Sequence, residues 1–367
     1  MPRPHAAAII EDAWNRRKAG LLADRGWGFR LLPFTGYGSP MFVRVLGRVV
    51  MTRPDGGSTR TPARAPHLEG DDRRGWRSFF TAPVADAAIT VVVGDQRVAA
   101  RSDRSGLIDV TVRGHGLAPG WRRIRIEADG AHPIEADVLI VGSRVTLGIV
   151  SDIDDTVLST SLPRPLIAAW NTFLRTEGSR RPVSGMATLY RELRAVNPDI
   201  PVFYVSTGAW NTASQLRRFM RRNGLPEGPM LLTDWGPTQT GWFRSGQQHK
   251  QASLHRLARD YPQISWLLVG DDGQHDPKIY AAFAKAKPAS VTAIAIRELS
   301  TSEQVLSHGL PVANDQLDPA PVEELTVPVV RAPDGYGLAR QLRPLIASVS
   351  ARRGRFAVDH LVGADDA

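Results

Sequence analysis

The sequence predicts an α/β protein in which a parallel sheet with helices on both faces follows an antiparallel β-sandwich of the immunoglobulin-like type. Two observations predict this class. Short β-branched or alternating runs separated by turn residues occupy about 40–145, and apolar strands alternate with helical segments over about 146–297. The chain of 367 residues is long enough for two domains, each with its own core.

The N-terminal part is expected to contain a helical lead-in followed by the sandwich. Residues 1–38 have loosely periodic apolar positions that end in a Gly-rich stretch, which favours a helical segment. Residues 39–144 form the predicted sandwich, with a long polar loop over 58–74. Its predicted strands are Val43–Val50, Ala88–Val93, Leu107–Val112, Arg122–Ile126 and Val138–Val141. Its aromatic residues, expected to pack in the core, are Trp76, Phe79, Phe80 and Trp121.

The parallel-sheet domain is expected over 145–325. Its predicted strands are Thr146–Val150, Val202–Val205, Met230–Leu232, Ile264–Val269 and Val291–Ile296. The predicted helices between them are Met186–Val196, Thr212–Arg222, Lys250–Asp260 and Pro277–Lys285. Residues 298–320 are polar and expected to be loop-like, and 326–367 are expected to hold one helix near 338–347 and a polar tail.

Composition excludes some chemistries and leaves others open. The absence of cysteine excludes disulfides, thiolate metal sites and cysteine nucleophiles. The net charge of +9 comes mostly from scattered arginines, which fits either a biased surface composition or a patch for anionic surfaces. No nucleic-acid recognition motif is visible, so nucleic acid is not an expected partner. Lacking a secretory leader and any apolar run of about 20 residues, the chain is expected to be cytoplasmic.

The first chemical signal directly follows an apolar strand. It is the run Ser151-Asp152-Ile153-Asp154-Asp155-Thr156. Because ligand sites of parallel sheets lie beyond the carboxyl ends of strands, Asp152 and Asp154 can converge there. Two nearby carboxylates stay ionised only beside a cation, and Mg²⁺ is the natural hard cation for oxygen ligands. The alternative is that these acids only cap the next helix.

Three further signals follow in order along the chain. Ser206 ends the second strong strand, Lys250 opens a predicted helix, and an acidic Gly-containing loop covers Gly270–Pro277. Each has an ordinary explanation, namely a helix cap, a surface lysine and a solvated turn. Their order and their positions at strand ends and helix starts are more specific than any one of them. A zinc site at His249, His255 and His275 is not favoured, because their spacing matches no compact metal motif.

The four signals described above resemble the four motifs of the haloacid dehalogenase superfamily. They are carried by Asp152, Asp154 and Thr156, then Ser206, then Lys250, then Gly270, Asp271 and Asp276. The flanking segments are similar to the catalytic domain of the actin-patch-protein type phosphatidate phosphatases, over roughly 145–297. Those segments are Ser151–Val157, Asn171–Leu174, Phe203–Ser206, Trp210–Asn211, Asp234–Gly236, His249–Lys250 and Gly270–Pro277. The resemblance implies a Rossmann-like haloacid dehalogenase sheet for the second domain.

The chain departs from the family pattern in places. Asp272 stands where the family usually has a small residue, Lys278 stands where an acid is common, and Thr207-Gly208-Ala209 replaces a segment that commonly carries Pro. These departures leave the catalytic set intact but concern local substrate contacts. The sequence is expected to be bacterial. The lipid activity that the resemblance implies is associated mainly with fungal members of the family.

The resemblance implies a role for each site residue. Asp152 is the implied nucleophile and Asp154 the acid and base, while Ser206, Thr207, Gly208 and Lys250 bind the phosphoryl group. The implied metal set is Asp152, Asp154 through its carbonyl, Asp271 and Asp276, with Asp276 either on the ion or supporting Lys250. Thr156 is expected to brace the loop. For Asp155 the only role considered is to cap the following helix.

The segment 158–182 is expected to be a small helical cap insertion. Its apolar stripe at 166, 167, 170, 173 and 174, with nearby arginines, fits either packing on the domain or contact with an anionic phospholipid.

The sequence therefore predicts a Mg²⁺-dependent phosphatase that converts phosphatidate to diacylglycerol, in the cytoplasm or peripheral at a membrane surface. The alternatives are a soluble phosphomonoesterase with another substrate and a scaffold with a phosphatase fold. The β-sandwich is a candidate module for binding a protein partner.

Overall fold

The computed structural model describes residues 27–52, 82–160, 180–233, 246–273, 275–308 and 325–347. The chain divides into two compact units. The first consists of Met1–Ser143, Gly208–Ala213 and Leu232–Gly246, and the second consists of Arg144–Thr207, Ser214–Leu231 and Gln247–Ala367. The predicted loop 58–74, Trp76, Phe79, Phe80, the apolar stripe of the insertion and the polar tail lie outside the described residues.

The described part of the first unit is mainly antiparallel β-structure. Its strands are β1 (Gly28–Pro33), β2 (Gly36–Ser39), β3 (Phe42–Thr52), β4 (Ala82–Pro83), β5 (Ala88–Val93), β6 (Gln96–Arg101), β7 (Leu107–Arg113), β8 (Gly120–Ala128) and β9 (Ile134–Ile140). Among the described residues they join in the order β1-β3-β2-β9-β8-β5-β6, with β4 and β7 also paired to β3. Only the β2–β9 pairing among these is parallel. Alternate residues of these strands form one apolar core. The division of this unit into two packed layers remains a prediction.

Two expectations for this unit were wrong. The described part of the predicted helical lead-in 1–38 contains strands β1 and β2 instead. β1 pairs with the far end of β3, Gly28 opposite Thr52, and such a distant partner leaves no local periodicity in the sequence. Trp121 is 40% exposed and therefore does not pack in the core.

The second unit contains the parallel sheet. Its strands are β10 (Leu147–Asp152), β11 (Leu158–Thr160), β12 (Arg180–Pro182), β13 (Val202–Ala209), β14 (Met230–Thr233), β15 (Ser265–Asp271), β16 (Val291–Arg297) and β17 (Val329–Ala332). Its helices are α1 (Met186–Val196), α2 (Ala213–Arg222), α3 (Gly246–Asp260), α4 (Asp276–Ala286), α5 (Thr301–His308) and α6 over 335–347. Short 3₁₀ turns occur at Trp210–Thr212 and Pro288–Ser290. No helix in the described ranges has both the length and the apolar character needed to cross a membrane.

Strand β10 lies inside this sheet. The order is β14-β13-β10-β15-β16-β17, and β10 pairs in parallel with both β13 and β15. Every residue of β10 and β15 is buried, as expected for parallel strands covered by helices on both faces. The carboxyl ends of three neighbouring strands therefore meet at one rim.

Helix α5 lies in the segment 298–320 that was expected to be loop-like. Its start has a capping box, in which Ser300 N–H donates to Glu303 Oε2 at 2.9 Å and Glu303 N–H donates to Ser300 Oγ at 3.4 Å. The Ser-x-x-Glu pattern is visible in the sequence and would have predicted this helix. Helix α3 also begins at Gly246, so Lys250 lies inside the helix and does not open it.

The insertion that follows the Asp152 loop begins and ends in a two-stranded ribbon. Strands β11 and β12 pair antiparallel, with Leu158 opposite Pro182 and Thr160 opposite Arg180. The two ends of the insertion are therefore held side by side.

Candidate active site

Three buried carboxylates converge at the carboxyl rim of the parallel sheet. Asp152 is the last residue of β10, Asp271 is the last residue of the neighbouring β15, and Asp276 is the first residue of α4. Each side chain offers one oxygen within 4.8 Å of the other two. Their relative exposures are 1%, 0% and 0%. The predicted convergence of acids at this rim is therefore present for Asp152, Asp271 and Asp276, whereas Asp154 is not in the group.

Lys250 reaches into this group from helix α3. Its Nζ lies 2.6 Å from Asp152 Oδ1 and 2.5 Å from Asp276 Oδ1. The lysine is only 3% exposed, so its ammonium is held by carboxylates and not by water. One of the two roles proposed from sequence for Asp276, support of Lys250, thus matches a direct contact.

When all three carboxylates are ionised, the charges around Lys250 do not balance without a further cation. Burial raises the pKa of Asp152 to about 8, against the opposing effect of Lys250 and with added repulsion from Asp276 and Asp154. Burial, together with repulsion from Asp276 and Asp152, also raises the pKa of Asp271 well above its usual value. Burial works against ionisation of Lys250, but the neighbouring aspartates raise its pKa above the usual lysine value. Three ionised carboxylates and one ammonium would leave about two negative charges buried.

The oxygen atoms of the group fit a divalent cation. Among the described residues, Asp152 Oδ2 and Asp276 Oδ2 are buried without a hydrogen-bond partner. Such orphaned buried oxygens are costly unless another ligand satisfies them. Hard cations prefer carboxylate oxygens, so the donor set and the charge deficit both suit such an ion.

Asp271 is fixed by the two loops that surround it. Its Oδ1 accepts a hydrogen bond from Gly273 N–H at 2.8 Å, and its Oδ2 accepts one from the Thr156 hydroxyl at 3.2 Å. Thr156 is fully buried, and its bond matches the bracing role that was expected. Gly270 leaves room for the neighbouring acid, since a Cβ there would lie 2.5 Å from Asp276 Oδ2.

Asp154 is not among the three carboxylates whose oxygens lie within 4.8 Å of one another. Its side chain is half-buried, and its Oδ2 accepts a hydrogen bond from the Ser206 hydroxyl at 2.8 Å. The predicted site residues Asp154 and Ser206 are therefore brought together. Thr207 and Gly208 continue β13, and the Gly208 carbonyl accepts a bond from the Thr233 hydroxyl at 3.3 Å.

Sequence reasoning assigned no role to a buried hydroxyl pair behind the rim. The Ser151 hydroxyl donates to the Asp152 carbonyl at 2.7 Å and lies 2.6 Å from the Tyr190 hydroxyl, which therefore donates to Ser151. Burial raises the pKa of Tyr190, so it stays protonated and able to donate. The only local signal is a polar residue directly before Asp152 inside an apolar strand.

The other polar residues around the site have structural roles. Asp272 Oδ1 accepts a hydrogen bond from Leu299 N–H at 2.8 Å. His249 Nε2 lies 3.0 Å from the Leu231 carbonyl, and His255 packs edge-on against Phe283. Within the described ranges, no histidine belongs to the cluster of Asp152, Asp271 and Asp276.

The segment that carries these site residues is similar to a known protein family. Residues 147–298 match the family described as "Phosphatidate phosphatase APP1, catalytic domain". The family resemblance predicted from the motifs is confirmed. The APP1-like segment contains Asp152, Asp154, Ser206, Lys250, Asp271 and Asp276.

Two fungal relatives align with this region. "Phosphatidate phosphatase APP1" of Saccharomyces cerevisiae is 29% identical over 171 residues, covering 46% of this chain and 29% of the yeast protein. An uncharacterized protein of Schizosaccharomyces pombe is 25% identical over 154 residues, covering 42% of this chain and 25% of that protein. The chain thus spans less than a third of the length of these relatives. Because both are fungal, they give no support to the bacterial origin suggested by the look of the sequence.

Among solved structures, the HAD domain of the effector protein Lem4 from Legionella pneumophila is similar over 42% of this chain and 87% of that chain. The identity is 13% and the TM-score is 0.29. A TM-score of this size does not define a common fold.

Proposed function

We propose that this protein is a Mg²⁺-dependent phosphatase that hydrolyses phosphomonoesters through an aspartyl-phosphate on Asp152, with phosphatidate as substrate and diacylglycerol as product. The observation that carries the proposal is the convergence of Asp152, Asp271 and Asp276 around Lys250 at the rim of the sheet. This convergence falls inside the APP1-like segment. The buried charge deficit there is of the kind that a divalent ion removes.

The metal is assigned to Asp152, Asp271 and Asp276, together with the carbonyl of Asp154. Mg²⁺ supplies charge that offsets the repulsion between these carboxylates and a phosphate dianion. The two orphaned oxygens, Asp152 Oδ2 and Asp276 Oδ2, support this assignment. Thr156 and Gly273 hold Asp271 ready by donating to both of its oxygens.

Asp152 is the proposed nucleophile. Lys250 contacts Oδ1 at 2.6 Å and so orients the carboxylate. A bond forms between this carboxylate and phosphorus while the bond from phosphorus to the ester oxygen breaks. Lys250 is close enough to neutralise charge that grows on the phosphoryl oxygens.

Asp154 is the proposed acid and base. It is half-buried, in contrast to the three buried aspartates, so it can exchange protons with a leaving group and with water. It gives its proton to the departing alkoxide, then accepts one from the water that hydrolyses the aspartyl-phosphate. Ser206 orients the Asp154 carboxylate through the bond at 2.8 Å. We assign the phosphate-facing side of the pocket to Ser206, Thr207, Gly208 and Lys250.

The lipid substrate is proposed from the name of the yeast relative. The test is phosphate release from phosphatidate in mixed micelles and from p-nitrophenyl phosphate, each with Mg²⁺ and with EDTA. Metal-dependent release from phosphatidate supports the full proposal. Release from the soluble ester alone identifies a phosphomonoesterase with another substrate, and release from neither identifies a scaffold with a phosphatase fold.

The remaining assignments are proposals of the same kind. They are a domain boundary between 144 and 145, another between 325 and 326, the cap insertion 158–182, a cytoplasmic or peripheral membrane location, and a protein partner for the β-rich unit.

A further inference from the structure

The loop that carries Asp154 is short and closed on itself. The Ile153 carbonyl accepts hydrogen bonds from Val157 N–H at 3.0 Å and from Leu158 N–H at 3.2 Å. Asp155, in the middle of the loop, has φ of +58°, a left-handed conformation that is uncommon for residues with a side chain. A conformation of this kind persists only when the surroundings hold it in place.

Arg297 holds this loop from the carboxyl end of β16. It is the last residue of β16, next to Asp271 in register, and it is only 7% exposed. Its Nη1–H donates to the Asp155 carbonyl at 2.7 Å, and its Nε–H donates to the Pro333 carbonyl at 3.2 Å. The left-handed residue of the loop is therefore bonded to a buried cation.

Glu303 completes the arrangement. Its Oε1 accepts from Arg297 Nη2–H at 2.6 Å and from the Ser159 hydroxyl at 3.3 Å. Its Oε2 accepts from the Ser300 backbone and hydroxyl, both at 2.9 Å. Partial burial opposes ionisation, but the bonds from Arg297 and Ser300 lower the pKa of Glu303, so it stays charged. Since Ser159 lies in β11, the pair also touches the stem of the insertion.

The geometry requires an arginine at position 297. The guanidinium directs three N–H groups to three separate acceptors: Asp155, Pro333 and Glu303. A lysine ammonium has one nitrogen on a flexible chain and cannot reproduce this planar fork. A residue needed only for charge or for filling space would not have to make these three bonds.

We propose that Arg297, oriented by Glu303, is a positioning residue that sets the placement of Asp154 through the Asp155 carbonyl. This inference rests on the proposed function of Asp154 as the acid and base. Without Arg297, the loop loses the bond that fixes its left-handed residue, and the Asp154 carboxylate samples positions away from the leaving oxygen. Loss of placement by about 1 Å costs on the order of 100-fold in rate.

The first experiment compares two soluble esters in the full chain with Mg²⁺. Phenyl phosphate needs a proton on its leaving oxygen more than p-nitrophenyl phosphate does. We expect Arg297→Lys to lower kcat/KM, which reports the step in which the leaving oxygen departs, by about 10- to 100-fold on phenyl phosphate and by much less on p-nitrophenyl phosphate. Glu303→Gln should follow the same pattern with a smaller loss.

The matched control is Thr292→Val on the same strand. Thr292 Oγ1 lies 2.7 Å from Ser265 Oγ near the opposite end of β16, so the variant removes one hydrogen bond far from the rim. Its losses should be small and equal on both esters. Equal losses of kcat/KM on both esters in Arg297→Lys, or no loss on either, would overturn the positioning role.

The second experiment does not depend on turnover. In Arg297→Lys, the Val157 and Leu158 amides should exchange with solvent faster than in the parent, while the amides of β15 should not change. Unchanged loop exchange overturns the inference even if the enzyme is active. If the parent chain hydrolyses no ester, the proposed function fails by that result, whereas the hold of Arg297 on the loop is still decided by the exchange rates.

Discussion

Thr156 donates a hydrogen bond to Asp271 Oδ2 at 3.2 Å, although the two residues are 115 positions apart in the chain. The bond joins the loop after β10 to the end of β15. The Asp271 carboxylate, which faces the proposed ion, is thus fixed by the neutral hydroxyl of Thr156. Supporting contacts of this kind set how well a metal is held.

Replacing Thr156 should therefore weaken metal binding more than folding. We expect Thr156→Val to raise the Mg²⁺ concentration for half-maximal activity by about 10- to 100-fold. Thr156→Ser keeps the hydroxyl and should behave close to the parent. The measurement is a Mg²⁺ titration of phosphate release, and an unchanged midpoint in Thr156→Val would remove the supporting role.

Asp152→Asn should abolish turnover without unfolding the protein. The amide is a poor nucleophile, while its neutral side chain relieves the repulsion among three buried carboxylates. Phosphate release should fall to background, and the Tm of the metal-free variant should equal or exceed that of the parent. Asp199→Asn, in an exposed turn, is the control and should keep full activity. Normal hydrolysis by Asp152→Asn would refute the assignment of the nucleophile.

Removing Lys250 should be costly for stability as well as for activity. Lys250→Met leaves Asp152 and Asp276 buried without their ammonium, and breaking a buried ion pair in this way costs about 3–5 kcal/mol in free energy of unfolding. Lys285→Met, on the exposed side of α4, is the matched control and should be nearly neutral. Urea unfolding of both variants without metal measures the difference, and equal midpoints would contradict the contact.

The stabilisation by Mg²⁺ should grow as pH rises. Asp152 has a pKa of about 8 in the folded protein, against an ordinary value of 3.8. Between these values the folded chain binds a proton that the unfolded chain has released, so this group makes the metal-free protein less stable as pH rises. Because Mg²⁺ competes with that proton, the shift of Tm at fixed Mg²⁺ should be larger at pH 8 than at pH 6.

The control for this dependence is Asp152→Asn, whose Tm shift should be smaller and should vary less with pH. A shift in the parent that is equal at both pH values, or larger at pH 6, would contradict the proton competition.

Local patterns predicted the centre of the second unit well. The strands around Asp152 and Asp271 were found from apolar runs, since parallel strands buried on both faces are continuously apolar. α1 was predicted over Met186–Val196 and is observed there, because its apolar residues repeat at helical spacing. The convergence of the acids followed from the rule that strand ends of a parallel sheet share one rim.

The features that escaped prediction depend on distant partners. β1 is defined by its pairing with β3, and β17 by its pairing with β16 at the sheet edge. Arg297 looks like any other arginine in an Arg-rich chain, and only the folded structure brings it to the Asp155 carbonyl. Helix α5 is the exception, since its capping box is a local pattern that the sequence alone contains.

The antiparallel ribbon of β11 and β12 has a consequence for how this protein can diversify. Because Leu158 lies opposite Pro182, the two ends of the segment between them are fixed side by side. Sequence and length can therefore change between these strands without altering the spacing from Asp152 to α1.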